Sequence, residues 1–255
     1  MQPTLFLSHG SPMTAIERNP THEFLVGLGM GLARPKGVVC ISAHWETEKP
    51  RITMARKPDL IYDFGGFPDA LYRVKYPAPG SPDLAGRVAT VLADAGMASL
   101  LDPVRGLDHG CWAPLMLVFP AADVPIVQLS IQPEQTTDHH LKVGRALAKL
   151  RRENVLVVGS GNATHNLMAW RGSVAPPPDW VTAFSRWLDE TVLAGDSDAL
   201  ARYREQAPFA ERNHPTEDHY LPLLHAIGAA GPDAKARKIH AGYDGPLDMA
   251  SYAFA

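Results

Sequence analysis

The sequence Leu5-Phe6-Leu7-Ser8-His9-Gly10-Ser11-Pro12 places a histidine directly after a short apolar run. The first four residues predict a buried β-strand, and Gly10 permits a tight turn after it. Pro12 has the fixed φ that suits the first turn of a helix. His9 is therefore expected at the carboxyl end of a first strand, which is where open α/β sheets bind ligands. A lone histidine at such a junction is more often structural, so its role depends on the rest of the chain.

The composition is that of a globular protein with a balanced charge. The chain has 255 residues, of which 45% are hydrophobic and 20% charged, enough for a sizeable core. A net charge of −3 without a basic stripe argues against nucleic acid as a partner. Cys40 and Cys111 form no C-x-x-C pattern, so we expect a reducing cytoplasm rather than a disulfide framework. A leader peptide and an apolar run of ~18 residues are both missing, so no membrane association is expected.

Apolar runs alternate with amphipathic segments along the chain. Core strands are predicted at 37–42, 125–130 and 154–159, and helices at 82–95, 113–119, 138–152 and 179–193. This alternation predicts an α/β fold: a single domain over residues 1–255 with a central, mostly parallel sheet flanked by helices. His139 and His140 fall in the first turn of the helix 138–152, where surface exposure is expected.

Three histidines share one pattern of strand, turn and imidazole. His44 comes just past the strand 37–42, and His165 follows the strand 154–159 and its glycine turn, as His9 follows the first strand. Because the carboxyl ends of parallel strands meet at one edge of a sheet, these imidazoles are expected to face a common cleft. Neutral imidazole is a good ligand for iron, zinc or copper. The pattern favours a metal site at the carboxyl ends of the strands over three independent structural histidines.

Two further histidines lie in related turns. His109 is flanked by glycines at 106 and 110, and His219 follows Thr216, which is predicted to cap a helix. On that helix His219 is either a further ligand or a residue bonded to a neighbouring loop. His214 precedes a proline, and a loop residue explains it better than a functional role does.

Other catalytic motifs receive little support. Gly159-Ser160-Gly161 lacks the dinucleotide fingerprint, and no G-x-S-x-G elbow for a serine hydrolase is present. Cys111 lies near His109 and suggests a thiol nucleophile, but a small buried cysteine is the more common outcome. The histidines therefore carry the chemical signal of this sequence.

Several motifs, in order and at similar spacing, resemble the class III extradiol ring-cleavage dioxygenases (the LigB-like superfamily) and, within them, the 4,5-DOPA dioxygenase branch. They are His9-Gly10-Ser11-Pro12, Ser42-Ala43-His44-Trp45, Asp108-His109-Gly110, Gly161-Asn162-Ala163-Thr164-His165-Asn166-Leu167 and His219-Tyr220-Leu221-Pro222-Leu223. Tyr62-Asp63-Phe64-Gly65-Gly66-Phe67-Pro68 also fits this branch. The resemblance covers nearly the whole chain.

The resemblance implies a non-haem Fe(II) site, in which zinc sometimes takes the place of iron. His9 and His44 carry over as metal ligands, His219 aligns with a ligand position, and His165 aligns with a residue in or beside the metal shell. The usual iron-oxygenase triad has two histidines and one carboxylate. Here the third ligand resembles a histidine, with Glu217 and Asp218 as the carboxylates nearest in sequence. His109 matches the position of an acid/base histidine, a role for which His165 is the alternative.

This family cleaves the aromatic ring of a catechol with O2, beside the two hydroxyls, to a semialdehyde. A base must take a phenolic proton and an acid must return one, and a histidine with a pKa of about 6.5 can do both. The aromatic loop 62–67 is a candidate wall for the ring. Expected partners are thus a small catechol and O2, with the oligomeric state open. Two alternatives use the same histidines: a zinc-dependent hydrolase, and a non-catalytic binding protein like the Memo-type relatives.

Overall fold

A computed structural model describes residues 1–170 and 176–255. The strands are β1 (Thr4–Ser8), β2 (Gly37–Glu46), β3 (Arg51–Thr53), β4 (Leu100–Asp102), β5 (Ile126–Ile131), β6 (Val155–Gly161), β7 (Ala236–His240), β8 (Tyr243–Asp244), β9 (Leu247–Asp248) and β10 (Ser251–Phe254). The α-helices are α1 (Pro20–Gly31), α2 (Asp69–Tyr72), α3 (Pro82–Asp94), α4 (His109–Val118), α5 (Thr137–Arg152), α6 (Asp179–Ala194), α7 (Ser197–Ala201), α8 (Tyr203–Gln206), α9 (Ala210–Asn213) and α10 (Leu221–Ala230). All predicted site residues lie within the described residues 1–170 and 176–255.

The main sheet has the strand order β4-β3-β5-β2-β6-β1-β10-β7. Its centre, β5-β2-β6-β1, is parallel throughout, and β3 and β4 are parallel to each other. The pairs β3–β5, β1–β10 and β10–β7 are antiparallel. The predicted fold class, a mostly parallel sheet flanked by helices, is confirmed. Because β2, β6 and β1 are neighbours, their carboxyl ends form one continuous edge.

Helices cover both faces of this sheet. On one face α5 and α10 pack against each other and against β6, and on the other α4 packs on α1 and β2. Adjacent residues of β6 belong to different layers: Val157 packs with the first layer and Val158 with the second. This division follows from the alternation of side chains along a strand. The two apolar layers fix the height of the helices above the sheet, and so the positions of their ends at the site.

β2 continues past the point where the sequence predicts its end. Its pairing with β6 stops at Ser42, whereas its pairing with β5 resumes at Glu46 after a register irregularity. His44 therefore lies inside the irregular part of the strand, and the prediction that it follows the strand is wrong. Irregularities of this kind redirect a side chain, and they are frequent next to active sites. The separation of β2 from β6 here opens space between the strand ends.

α4 begins four residues before the predicted start at residue 113. Asp108 caps the helix, since its Oδ1 accepts the Cys111 N–H at 3.2 Å and the Ser42 hydroxyl at 2.6 Å. Pro114 consequently lies inside the helix, where its missing N–H leaves the carbonyl of Gly110 without its usual helical donor. The hydroxyl of Ser160 on β6 donates to that carbonyl instead. The helix interior thus bonds directly to the end of a central strand.

Two further predictions about histidines are wrong. His140 is fully buried rather than exposed, because α5 turns this residue towards α10, with its ring centroid 5.0 Å from that of His225. His219 lies in a turn before α10 rather than on its first turn, since that helix begins at Leu221.

Across 1–170 and 176–255, every helix is too short or too polar to cross a lipid bilayer.

Candidate metal centre and active site

The parallel pairing of β1 with β6 places His9, the residue after β1, beside the carboxyl end of β6. The main-chain N–H of His9 donates to the carbonyl of Gly161 at 3.0 Å, which continues the β1–β6 ladder by one residue. The chain then turns at Gly10, whose φ of 61° favours glycine. A Cβ at Gly10 would also lie 2.6 Å from the end of the Met249 side chain. The turn therefore leaves the buried His9 ring facing the His44 ring, across the end of β6.

Glycines allow two other segments to approach the strand ends closely. At the start of α4, a Cβ on Gly110 would lie 2.6 Å from Ser42 Oγ and 2.8 Å from the His44 ring. At the end of β6, a Cβ on Gly161 would lie 2.1 Å from the carbonyl oxygen of His219. Only glycine permits these contacts, so these two positions bring His109 and His219 to the same edge of the sheet.

Five imidazoles meet at this edge. The ring centroid of His9 lies 5.0 Å from that of His44, 5.2 Å from His219 and 5.5 Å from His109. The His44 ring lies 4.0 Å from His109 and 4.9 Å from His219. His165 stacks on His219 with a centroid separation of 3.3 Å. The structure thus brings together every histidine predicted for the site.

Oxygen acceptors on the outer side of three rings define where the lone pairs point. Since the Ser160 hydroxyl donates to Gly110, its oxygen accepts the Nδ1–H of His9 at 3.0 Å. The Asp218 carboxylate likewise accepts from Nδ1 of His219. Nδ1 of His44 lies 3.5 Å from Asp63 Oδ2. With hydrogen on each Nδ1, the three Nε2 atoms present lone pairs, and this support by outer acceptors is typical of metal-binding histidines.

The lone pairs of His9 and His44 face each other, since their Nε2 atoms are 3.1 Å apart. Two nitrogens, each about 2.1 Å from one ion, lie about 3 Å apart when their bonds meet at about 90°. Burial, followed by the neighbouring histidines, lowers the pKa of His9 and of His219 well below the usual value. Burial, followed by the neighbouring His109, lowers the pKa of His44 to about 3, and burial lowers that of His165 to about 4. These four imidazoles are therefore neutral at pH 7, the form that binds metals, and the donor set fits a divalent cation.

The ligand atoms form two compact groups, within each of which all atoms lie within 4.8 Å of one another: His9 with His44 and His109, and His165 with Asp218 and His219. Glu217 is directed elsewhere, because its Oε1 accepts from the Tyr203 hydroxyl at 2.9 Å and from Arg204 at 3.2 Å. Of the two carboxylates considered from the sequence, the structure therefore brings only Asp218 to the site.

Asp63 is a site residue that the sequence prediction missed. Its Oδ1 accepts the main-chain N–H of His109 at 2.9 Å and lies 3.0 Å from His109 Nδ1, while Oδ2 faces His44. Although burial opposes it, hydrogen bonding to His109 holds the pKa of Asp63 below its usual value. One carboxylate therefore orients two imidazoles. Its only signal in the sequence is its place in the aromatic loop, for which the sequence predicts a wall for the ring rather than a partner of the histidines.

A cavity of about 430 Å³ opens over the histidines. Phe64 and Phe67 of the aromatic loop line it, together with Leu167 and Leu247. Tyr62 lies behind this wall, because its hydroxyl donates to the carbonyl of Val74. The volume and the apolar walls suit a small aromatic molecule.

The sequence leaves the roles of two residues undecided, and the surroundings of both in the fold indicate a structural role. His214 is fully buried, and its Nε2 donates to the carbonyl of Ala163 at 2.9 Å, which ties the loop after β6 to the segment before α10. Cys111 is also fully buried, and burial followed by Cys40 raises the pKa of its thiol well above the usual value. The thiol therefore stays protonated, which supports the structural interpretation.

Comparison with known proteins agrees with this geometry. Residues 3–255 match the family model described as "Catalytic LigB subunit of aromatic ring-opening dioxygenase". The chain belongs to the LigB family. This family is metal-dependent, and its members include extradiol dioxygenases, which cleave an aromatic ring with O2.

Relatives of this LigB protein match it over nearly their full length. A protein of Beta vulgaris named 4,5-DOPA dioxygenase extradiol is 44% identical over 98% of this chain and 96% of its own. One of the same name from Escherichia coli K12 is 42% identical over 89% and 84%. The crystal structure of an uncharacterized E. coli K12 protein covers 100% of both chains with a TM-score of 0.85 and 35% identity. The chain is an extradiol ring-cleaving dioxygenase, and the hydrolase and binding-protein alternatives are not favoured.

Proposed function

We propose that this protein is an Fe(II)-dependent dioxygenase that opens the ring of a DOPA-like catechol to a semialdehyde, using O2 in the cytoplasm. The observation that carries the proposal is the arrangement of His9, His44 and His219, whose ring centroids lie 4.9–5.2 Å apart and whose Nδ1 atoms face oxygen acceptors. Zinc binds the same donors and is the other metal considered for this site. The two free, buried cysteines agree with a reducing compartment.

In this proposal His9, His44 and His219 hold the metal, and His165 lies in or beside its shell, stacked on His219. When bound, Fe(II) supplies the redox chemistry that joins the electron-rich ring to O2. The protein keeps the three donors neutral by burial, so no proton has to leave before the ion binds. Ser160, Asp63 and Asp218 prevent the rings from turning their lone pairs away.

Proton transfer belongs to His109 in this proposal, with His165 as the alternative. Because Nδ1 of His109 faces Asp63, its Nε2 is the atom left to exchange a proton with the substrate. The Asp63 carboxylate holds the ring through both its main-chain N–H and its side chain. A histidine in this position takes a phenolic proton and returns it later in the reaction.

The substrate class follows from the cavity and from the relatives. Phe64 packs edge-on to His109 with the ring centroids 5.6 Å apart, so an aromatic ring in the cavity lies between an apolar wall and the imidazoles. Relatives with 36–44% identity carry the name 4,5-DOPA dioxygenase extradiol. A DOPA-like catechol fits both observations.

The test is anaerobic reconstitution of the metal-free protein with Fe(II), followed by addition of L-DOPA or simple catechols and oxygen. We expect oxygen uptake and a yellow semialdehyde product, both absent from His44→Ala and from protein loaded with zinc. Anomalous scattering at the iron and zinc edges of a crystal identifies the metal and its ligands. No oxygen uptake across the catechol panel would refute the proposal.

A further inference from the structure

The outer wall of the catalytic cavity is built by a short hairpin and by Trp170. The hairpin consists of β8 and β9, and it places Asp244 and Leu247 on the cavity. The indole N–H of Trp170 donates to Asp244 Oδ1 at 3.1 Å. This bond fixes the Asp244 carboxylate at the wall, on the opposite strand of the hairpin from Leu247.

Asp244 is a carboxylate that shares the cavity wall with three aromatic side chains. Phe64, Phe67 and Trp170 line the same cavity. Within residues 1–170 and 176–255, the indole of Trp170 is its only hydrogen-bond partner, and no Lys or Arg of these ranges lines the cavity. Aromatic faces attract cations, and a carboxylate accepts charge-assisted hydrogen bonds from an ammonium group. Together they form a recognition site for a cationic amine.

The position of Asp244 suits the side chain of a ring substrate. A second cavity, of about 570 Å³, adjoins the catalytic one, and Ser11, Phe67, Trp170 and Asp244 line both. A catechol whose hydroxyls face the histidines has room for a ring substituent in this direction. At the junction of the two cavities, a charged group on the substituent would therefore lie close to the Asp244 carboxylate.

We propose that Asp244, held by Trp170, binds the ammonium group of an aminoalkyl side chain on the catechol ring. The protein consequently selects catechols with an amine-bearing side chain over those whose side chain carries only a carboxylate. This inference rests on the proposed catechol dioxygenase function and adds a specificity-determining residue to it. The contact involves no covalent step.

The experiment compares three catechols that share a two-carbon stem on the ring and differ in its end: aminoethyl, ethyl and carboxyethyl. For the Fe(II)-loaded wild type we expect kcat/KM to fall in that order. Asp244→Asn keeps an oxygen to accept from Trp170 but removes the charge. We expect this variant to raise KM for the aminoethyl compound about 3- to 10-fold with kcat unchanged. Its kcat/KM for the ethyl compound should stay the same, and its kcat/KM for the carboxyethyl compound should rise.

Asp233→Asn serves as the matched control, because Asp233 is exposed and lines neither cavity. Calorimetric binding of the same three compounds under anaerobic conditions gives the preference without turnover. Equal changes for all three compounds in Asp244→Asn, or no amine preference in the wild type, would overturn the inference. An amine preference in binding without any oxygen uptake would instead refute ring cleavage and leave the Asp244 site standing.

Discussion

Single side chains determine which nitrogen of each histidine is available for chemistry. Pro114 cannot donate to Gly110, so Ser160 does, and the Ser160 oxygen is then free to accept from His9 Nδ1. A helix proline thereby fixes the tautomer of a proposed metal ligand on another element. Asp63 lies 3.5 Å from His44 Nδ1 and 3.0 Å from His109 Nδ1, so its carboxylate favours hydrogen on the same atom of both rings.

Asp63→Asn tests this control of tautomers. The amide oxygen still accepts the main-chain N–H of His109, but the amide NH2 becomes a donor towards His44 Nδ1. His44 then carries its hydrogen on Nε2 and loses the lone pair that faces the metal. We expect metal affinity, measured by competition with a chelator, to fall about 10- to 100-fold.

The control for this variant is Asp69→Asn, since the Asp69 side chain is 91% exposed on α2. The control should bind metal like the wild type. Circular dichroism of both variants establishes that the fold is kept. Unchanged metal affinity in Asp63→Asn would show that the carboxylate does not set the tautomer of His44.

Helix starts and strand ends bring these side chains together. α4 is held against β2 by Asp108, whose carboxylate accepts the Ser42 hydroxyl, and it is held against β6 through Ser160. The turn before α10 lies on the end of β6, where the N–H of Asn162 donates to the carbonyl of His219 at 3.0 Å. The site is therefore as rigid as the contacts between these elements, and glycines set their spacing.

Gly161→Ala should separate the His219 turn from β6. The added methyl would lie 2.1 Å from a main-chain oxygen, which cannot move away as a side chain can. We expect a loss of about 1–3 kcal/mol in the free energy of unfolding, together with weaker metal binding. Denaturant titration and the chelator assay measure the two effects.

Gly86→Ala is the same substitution in α3, where a Cβ would meet nothing within 4 Å. It should stabilise the protein by about 0.5–1 kcal/mol, the difference in helix propensity, and leave metal binding unchanged. If the two variants behaved alike, the close approach of His219 to Gly161 would not matter for the site.

The whole molecule buries several neutral histidines outside the site as well as within it. Burial, followed by neighbouring histidines, lowers the pKa of His140 to about 2, and burial lowers that of His225 to about 4. The unfolded chain takes up protons on these groups below about pH 6.5, whereas the folded chain does not. Above pH 6.5 these histidines are neutral in both states and do not lower the free energy of unfolding. As the pH falls below 6.5, proton binding stabilises the unfolded chain, so the free energy of unfolding decreases.

We expect the unfolding free energy of the metal-free protein to decrease on acidification from pH 6.5 to 5. Each such histidine contributes a slope that approaches about 1.4 kcal/mol per pH unit as the pH falls below 6.5. His140→Leu removes one of them, so between these pH values the variant should lose about 1.6 kcal/mol less than the wild type. Urea denaturation at both pH values measures the difference, whatever the variant's stability at neutral pH. Parallel curves for the two proteins would contradict this account.

Much of the fold was predictable because its signals are local. The apolar runs at 37–42, 125–130 and 154–159 all form strands of the parallel centre, and Pro82 begins α3 as its position indicates. Errors occurred where a distant contact decides. His140 is buried because α10 packs on α5. The helix α4 begins early because its cap, Asp108, accepts a hydrogen bond from Ser42 on β2. A propensity argument has no access to either contact.

The sequence determined that His9 and His165 come after strands and that His109 lies in a glycine-flanked turn. This suffices to predict a histidine cluster at one edge of the sheet, although His44 lies within its strand. The tertiary structure decided the rest: which nitrogen of each ring is free, that Asp63 joins His44 to His109, and that Asp244 lies on the cavity wall. The physical reason is distance along the chain. Hydrogen bonds and close contacts between such separate segments exist only after packing has brought the segments together.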